Sequence, residues 1–312
     1  MNGDPLKTLR SSVIISTHNR SNSLERTLQS LASQTLGAEA FEVVVVDDGS
    51  DDSTLEVCNT MQERMKNLVV VSTGENVGSS SARNVGFGHA RGEYFLFTDD
   101  DCIPDKAWVG CMASALRDHP IVAGAIESPR DNVARLCHNI AEFHPFMPGR
   151  KSGDRDYIAG ANMGFQRSLL EEIGGFEEGR KLASDMEMII RARMAGHRAF
   201  FEPRAKVIHK PDRVDLRKVF RYSSRHAKTT IVLRNRYQGF LRTPAILKSP
   251  ALLILFAPLI SLKVVTEIYL RNRTLLPLLW TAPVIYGLKL AWCWGASQGL
   301  REMKKGRTSE RA

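Results

Sequence analysis

Three adjacent carboxylates, Asp99-Asp100-Asp101, close the apolar run Tyr94-Phe95-Leu96-Phe97-Thr98. Like charges that close repel, and the repulsion falls when they face a divalent cation. The run reads as a buried strand. In open α/β sheets ligands sit beyond the carboxyl ends of strands, so the triplet points to a metal-bound anion. The competing reading is a cap for a helix near Asp105 to Asp118, which needs one carboxylate rather than three. Asp47-Asp48-Gly49-Ser50 closes a second apolar run; Asp48 has the chemistry to accept hydrogen bonds from a base or ribose, though a turn and helix start explains the segment equally well. Ser184-Asp185-Met186-Glu187 opens a helix that stops at Gly196, with Ser184 as N-cap and Glu187 completing a capping box. Asp185 then lies in the first turn, where the helix dipole favours negative charge; that suits a carboxylate base and equally a stabilised helix end. Lys206-Val207-Ile208-His209 reads as a short strand whose histidine matters only if the chain turns it toward Asp101.

The elements that must position these groups alternate. Val13-Ile14-Ile15-Ser16 is a short strand, followed by the polar loop Thr17-His18-Asn19-Arg20 and a helix capped from Ser21 to Ser23, with Leu24, Leu28 and Leu31 on one face. Phe41 to Val46 is the next strand, and the helix after it buries Leu55, Met61 and Met65. Leu68 to Val71 is a third strand; Asn76-Val77-Gly78 leads into a helix through Ala82-Arg83-Asn84; Tyr94 to Thr98 is the fourth. Strand–helix alternation implies a parallel, doubly wound sheet, whose right-handed crossovers put the strand ends on one edge. A dinucleotide site is disfavoured, because no glycine-rich turn follows the first strand. Pro145 to Asp156 reads as a mobile loop and Tyr157 to Phe165 as a strand.

The chain has 312 residues, 43% hydrophobic and 25% charged, enough for one large domain or two smaller ones. A net charge of +9 suits anionic partners. Five cysteines in no metal-site spacing read as free thiols in a reducing compartment. Met1 to Arg10 lacks the apolar core of a signal peptide, which places the expected catalytic part in the cytoplasm.

Together these segments resemble the family 2 glycosyltransferases of GT-A fold. The pieces are Val13 to Arg20, Val46 to Thr54, Asn76-Val77-Gly78 with Ala82 to Gly86, Phe97 to Asp101, Gly174-Gly175-Phe176, the Asp185 helix and His209, all in the family's order. The resemblance implies an α/β fold with a doubly wound mixed sheet. It implies that Asp48 reads the nucleotide base, that Ser16, His18 and Arg20 wrap the nucleoside, and that Arg83 belongs to the nucleotide-sugar site. Asp99 and Asp101 take the two ends of an Asp-x-Asp motif, Asp99 toward the ribose or sugar and Asp101 on Mg²⁺ or Mn²⁺. Asp185 matches the general base, and His209 a position that holds metal or diphosphate. Ser184 stands where an acidic residue is frequent, and His18 where an aromatic one is.

After Lys210 the sequence turns basic, from Arg213 to Arg242, with apolar residues interleaved, as in an amphipathic helix on an anionic membrane face. No nucleic-acid motif accompanies the charges. Residues 251–270 and 275–295 are each near the ~20 needed to span a bilayer, though Lys263, Glu267 and Lys289 interrupt them. Two readings follow: a transmembrane hairpin, or helices lying in the interface. The expected organisation is a catalytic domain over 1–212, basic juxtamembrane helices over 213–248, two hydrophobic helices over 249–298 and a basic tail over 299–312. The expected activity is inverting, metal-assisted transfer of a sugar from a UDP- or GDP-sugar to a lipid-linked sugar or surface polysaccharide, at the cytoplasmic face of the membrane. An inactive nucleotide-sugar-binding scaffold and a nucleotide-sugar hydrolase are the alternatives. The sequence assigns no oligomeric state.

Overall fold

The computed structural model describes residues 10–180, 182–212, 214–241 and 243–309. The expectations for residues 1–9, for Arg213 and Arg242, and for the tail beyond 309 lie outside the described residues. The chain divides into two units: one of residues 1–127 and 146–210, the other of 128–145 and 211–312. Residues 128–145, expected within the first domain, group with the second unit.

The strands are β1 (Ser11–Thr17), β2 (Phe41–Asp47), β3 (Leu68–Ser72), β4 (Tyr94–Thr98), β5 (Cys102–Pro104), β6 (Ile121–Glu127), β7 (Gly153–Arg155), β8 (Asn162–Gln166) and β9 (Ala199–His209). The helices are α1 (Ser21–Ala32), α2 (Thr54–Arg64), α3 (Ser79–His89), α4 (Trp108–Leu116), α5 (Val133–Phe143), α6 (Arg167–Ile173), α7 (Ser184–Met194), α8 (Leu216–Arg236), α9 (Gln238–Leu241), α10 (Pro250–Leu255), α11 (Ala257–Arg271) and α12 (Ala282–Ser309).

In the first unit the sheet order is β3-β2-β1-β4-β8-β6-β9-β5, with β7 against β9. The run Val43 to Val46 is completely buried, which is why a β-branched stretch serves as an interior strand covered on both faces. The first four strands pair in parallel, as the alternation predicts. The sheet as a whole is mixed: β8 runs antiparallel to β4 and to β6, and β5 antiparallel to β9. These reversals decide the site. The C-terminal ends of β1, β2, β4 and β9 and the N-terminal ends of β5 and β8 all reach one sheet edge. Gly49 turns the chain there at φ +70°, and a Cβ on it would meet the Glu75 backbone at 2.6 Å.

Several local expectations change. Met61 and Met65 are buried as expected, but Leu55 is exposed, and Thr54 and Cys58 complete the buried side of α2. The loop expected over Pro145 to Asp156 contains a short 3₁₀ turn and β7, which pairs with β9. The final strand is eleven residues rather than four. The β6–β9 register shifts between Gly124 and Ala125, leaving a bulge of residues 203–205 on β9. Asn162 fills it: its amide donates to the Ala125 and Ala205 carbonyls at 2.8 and 2.9 Å and accepts from Trp108 Nε1 at 2.9 Å.

In the second unit α12 packs along α8. Ser223 Oγ donates to the Leu288 carbonyl at 3.1 Å. Lys289, which interrupts the second apolar segment, donates from Nζ to the Ala141 carbonyl at the end of α5, 2.8 Å away. His226 of α8 lies 3.3 Å from Glu142 of α5.

Candidate active site

The loop after β1 and the loop after β2 are clipped together. Asn19, in the left-handed region at φ 54°, accepts from the amides of Asp51 and Asp52 at 2.9 and 3.3 Å, and its own amide donates to Ser50 Oγ. A short polar side chain that bonds nearby backbone is the kind that tolerates this conformation. His18 Nδ1 donates to the Asp48 carbonyl at 2.8 Å, which fixes its exposed ring. Ser16 is half-buried at the end of β1, opposite Val46. Asp48 is buried, and its two carboxylate oxygens accept from the Val77 and Gly78 amides at 2.8 and 3.0 Å. It therefore holds the loop that enters α3, and a carboxylate keeps further lone pairs beyond those two bonds.

The carboxylate triplet is sorted by direction. Asp99 is the most exposed, its side chain 34% accessible, and takes Arg83 Nη2 at 2.8 Å. Asp100 points inward, where Thr17 Oγ1 donates to it at 2.8 Å and Arg20 Nη1 lies 3.4 Å away. Burial pushes Asp100 up to about 7; Arg20 opposes the shift and Asp101 adds to it. Asp100 is thus bound into the fold. Asp101 is also buried, but His209 and Arg20 outweigh the effect of burial and hold its carboxyl below the usual range. Its Oδ2 accepts from Arg20 Nη1 at 2.7 Å. Its Oδ1 makes no hydrogen bond and faces His209 Nε2 at 3.3 Å. Arg20, expected on the nucleoside, reaches these two carboxylates.

His209 is brought to Asp101 by the β5–β9 ladder, in which Cys102 is directly opposite His209. Asp101, Cys102 and His209 place potential ligand atoms within 4.8 Å of one another. Burial keeps the Cys102 thiol well above its ordinary range, so it stays protonated and is a poor ligand. What remains is a carboxylate oxygen and an imidazole nitrogen, an O/N set that suits Mg²⁺ or Mn²⁺. A buried carboxylate oxygen without a hydrogen bond is costly unless something else satisfies it, and a divalent cation would.

Asp185 enters the same edge from α7. The residue before that helix, Ala183, is left-handed at φ 58°, and no side chain caps it. The expected capping box does not form. Ser184 Oγ instead accepts from Arg83 Nη1 at 3.1 Å, and Glu187 pairs with Arg191 at 2.7 Å. Asp185 Oδ2 accepts from the Gly160 amide and Oδ1 from the Met186 amide, both at 2.8 Å. A left-handed alanine costs roughly 1–2 kcal/mol, a cost found where a catalytic geometry is held against local preference. Arg83, buried against the Phe176 ring, thus joins Asp99 to the residue preceding Asp185.

Comparison with known proteins gives the following. The sequence model described as "Glycosyl transferase family 2" matches residues 12–174. Glycosyltransferase AglE of Haloferax volcanii is 27% identical over 192 residues, 61% of this chain and 63% of AglE. The poly(ribitol-phosphate) β-N-acetylglucosaminyltransferase TarS of Staphylococcus aureus is 33% identical over 111 residues, 36% of this chain and 19% of TarS. The chain thus spans less than two thirds of the length of these relatives. Among solved structures, the mannosyltransferase PcManGT of Pyrobaculum calidifontis, in complex with GDP-Man and Mn²⁺, superposes with a TM-score of 0.61 at 24% identity, covering 92% of this chain and 87% of that one. TarS 1–349 with UDP-GlcNAc superposes at 0.56 and 20%, covering 95% and 92%.

Proposed function

Because the chain belongs to glycosyl transferase family 2, and its mixed sheet is of GT-A type, we propose that it transfers a sugar from a nucleoside-diphosphate sugar to a hydroxyl acceptor with inversion. The observation that supports this reading is the Asp99–Arg83–Ser184 chain, which links the carboxylate triplet to the residue before Asp185.

Under this reading the two clipped loops hold the nucleoside: the His18 ring offers a face to the base, Ser16 lines the approach, and Asp48 uses its remaining lone pairs on the base. Asp99 orients the ribose or sugar, kept in place by Arg83. Asp101 and His209 would hold a divalent cation, which would supply Lewis-acid charge for a diphosphate leaving group. Arg20, already against Asp101, adds a cation on the same side. Asp185 takes the proton of the acceptor hydroxyl as that oxygen attacks the anomeric carbon. Its two amide contacts aim the carboxylate without consuming all of its lone pairs. One displacement inverts the centre and needs no covalent intermediate. The donor is a UDP- or GDP-sugar, in keeping with the ligands of the similar structures. The acceptor is a lipid-linked sugar or surface polysaccharide at the cytoplasmic membrane face, a reading supported by the basic, apolar second unit and by the polymer acceptor in the name of TarS.

The test incubates the protein with Mn²⁺, a set of labelled nucleotide sugars and a membrane-lipid extract. Label in lipid or polymer supports the proposal. Free sugar as sole product identifies a hydrolase, and donor binding without turnover a scaffold.

A further inference from the structure

The second unit exposes a face that its own fold does not cover. Ten of the large apolar side chains left exposed among the described residues lie between Leu252 and Trp294. Leu255, Leu259 and Leu262, at helical spacing across the α10–α11 joint, are each more than half exposed, as are Leu270, Leu279 and Trp280. So large a concentration marks an interaction surface.

The lengths of the elements argue about what covers it. α11 has 15 residues, about 22 Å at 1.5 Å per residue, short of the ~30 Å hydrocarbon core. α10 is separated from it at Phe256, whose ψ of 4° breaks the helix. A 3₁₀ stretch, Arg273–Thr281, contains Pro277. The helical run over 273–305 is long and apolar enough to cross a membrane, yet α12 is already engaged. A Cβ at Gly295 would meet the Ser224 carbonyl oxygen at 2.0 Å, and one at Gly299 the Lys228 carbonyl oxygen at 2.7 Å. The helix it touches so closely, α8, exposes Arg217, Lys218, Arg221 and Arg225, charges that are expensive at mid-bilayer depth.

Charge argues for the nature of the surface. Residues 211–312 contain nineteen Lys and Arg against five Asp and Glu, while residues 1–210 are net acidic. The chain's whole positive excess thus belongs to the part that bears the apolar face, the pairing that anionic lipid recognises.

We propose that the second unit is a monotopic anchor: α10, α11 and the 273–281 stretch lie in the plane of an anionic bilayer, and α12 is an internal packing helix that does not cross it. The inference builds on the membrane site of action proposed above. It is separable from the transfer chemistry, since nucleoside-diphosphate binding is measured on the same variants.

The full chain is mixed with vesicles of phosphatidylcholine, with and without phosphatidylglycerol, and floated. Wild type rises with the anionic vesicles. Leu255→Gln/Leu259→Gln/Leu262→Gln binds at least tenfold more weakly, with unchanged circular dichroism and unchanged UDP or GDP binding. Topology is read by Arg273→Cys in a Cys111→Ser background, the other four cysteines being buried. An impermeant maleimide labels it in sealed vesicles whose cytoplasmic face is outward. Labelling only from the opposite face, or vesicle binding indifferent to the leucine changes, overturns the proposal. Binding to RNA or DNA without vesicle binding also overturns it.

Discussion

Arg83 Nη2 donates to Asp99 Oδ1 at 2.8 Å, and the other arm of the same guanidinium donates to Ser184 Oγ at 3.1 Å. A planar fork is needed to make both contacts, which a lysine ammonium lacks. Asp99 and the start of α7 are therefore one mechanical unit.

Arg83→Lys should lower turnover more than it raises the donor KM, by tenfold or more, because Asp99 keeps a nearby cation while α7 loses its tether. Arg83→Leu should also lower stability by about 1–3 kcal/mol, the range for a buried group left without its partner. Steady-state kinetics and thermal unfolding check both.

Asp185→Asn retains the shape and one acceptor oxygen but cannot take a proton. Transfer should fall by about 10²–10⁴-fold, with donor affinity within a few-fold of wild type by calorimetry. Equal turnover would remove Asp185 from the role of base.

Asp100 and Asp101 are neighbours with opposite roles, so their amide variants should separate. Asp101→Asn should weaken Mn²⁺-dependent donor binding by at least tenfold, and chelation of metal should reproduce the loss in wild type. Asp100→Asn should leave the Mn²⁺ titration nearly unchanged and lower the unfolding temperature, because Thr17 or Arg20 loses a carboxyl oxygen as its acceptor. Titration calorimetry with Mn²⁺ separates them.

Acid sensitivity has a source at Glu42, which is buried on β2. Burial raises its pKa, but Ser12 Oγ at 2.7 Å, the Arg91 amide at 2.6 Å and the Arg91 guanidinium together outweigh that and lower it. The unfolded carboxyl titrates near 4.3. A depressed folded-state pKa contributes stability that is complete above the unfolded value and disappears as pH falls through the folded one. Glu42→Gln should thus cost about 1–2 kcal/mol at neutral pH, and the gap to wild type should close as pH drops below about 4. Denaturant melts at pH 7 and pH 3 measure this.

Much of this fold was legible because its first half is written in runs that match their environment. Val43 to Val46 could only be an interior strand, and Tyr94 to Thr98 likewise. The reversals in the second half were not legible: Pro120 and Ser128-Pro129 bound the run Ile121 to Glu127, but it has no alternation, and nothing local to it says that its neighbour β8 runs antiparallel. Among site residues, Asp99, Asp101 and His209 follow from strand ends. The partners of Arg20 and Asp100 do not, because a basic residue on a loop reads the same whether it faces a ligand or a buried carboxylate. Asn19 carried a signal that was passed over: an asparagine after a strand is the residue type suited to a left-handed turn. The failed cap at Ser184 is instructive for the opposite reason, since a long-range contact from Arg83 displaced a strong local motif.

The pairing of Cys102 with His209 has a consequence in time. Asp101 immediately precedes β5 and its imidazole neighbour ends β9, more than a hundred residues later in the sequence, and nothing shorter than the whole intervening chain can close that ladder. Contacts of such separation form late, after their loop-closure entropy has been met. During synthesis the Asp101–His209 pairing cannot form until residue 209 has emerged and β9 has docked. Formation of this pair is therefore a sign that the first unit has finished folding.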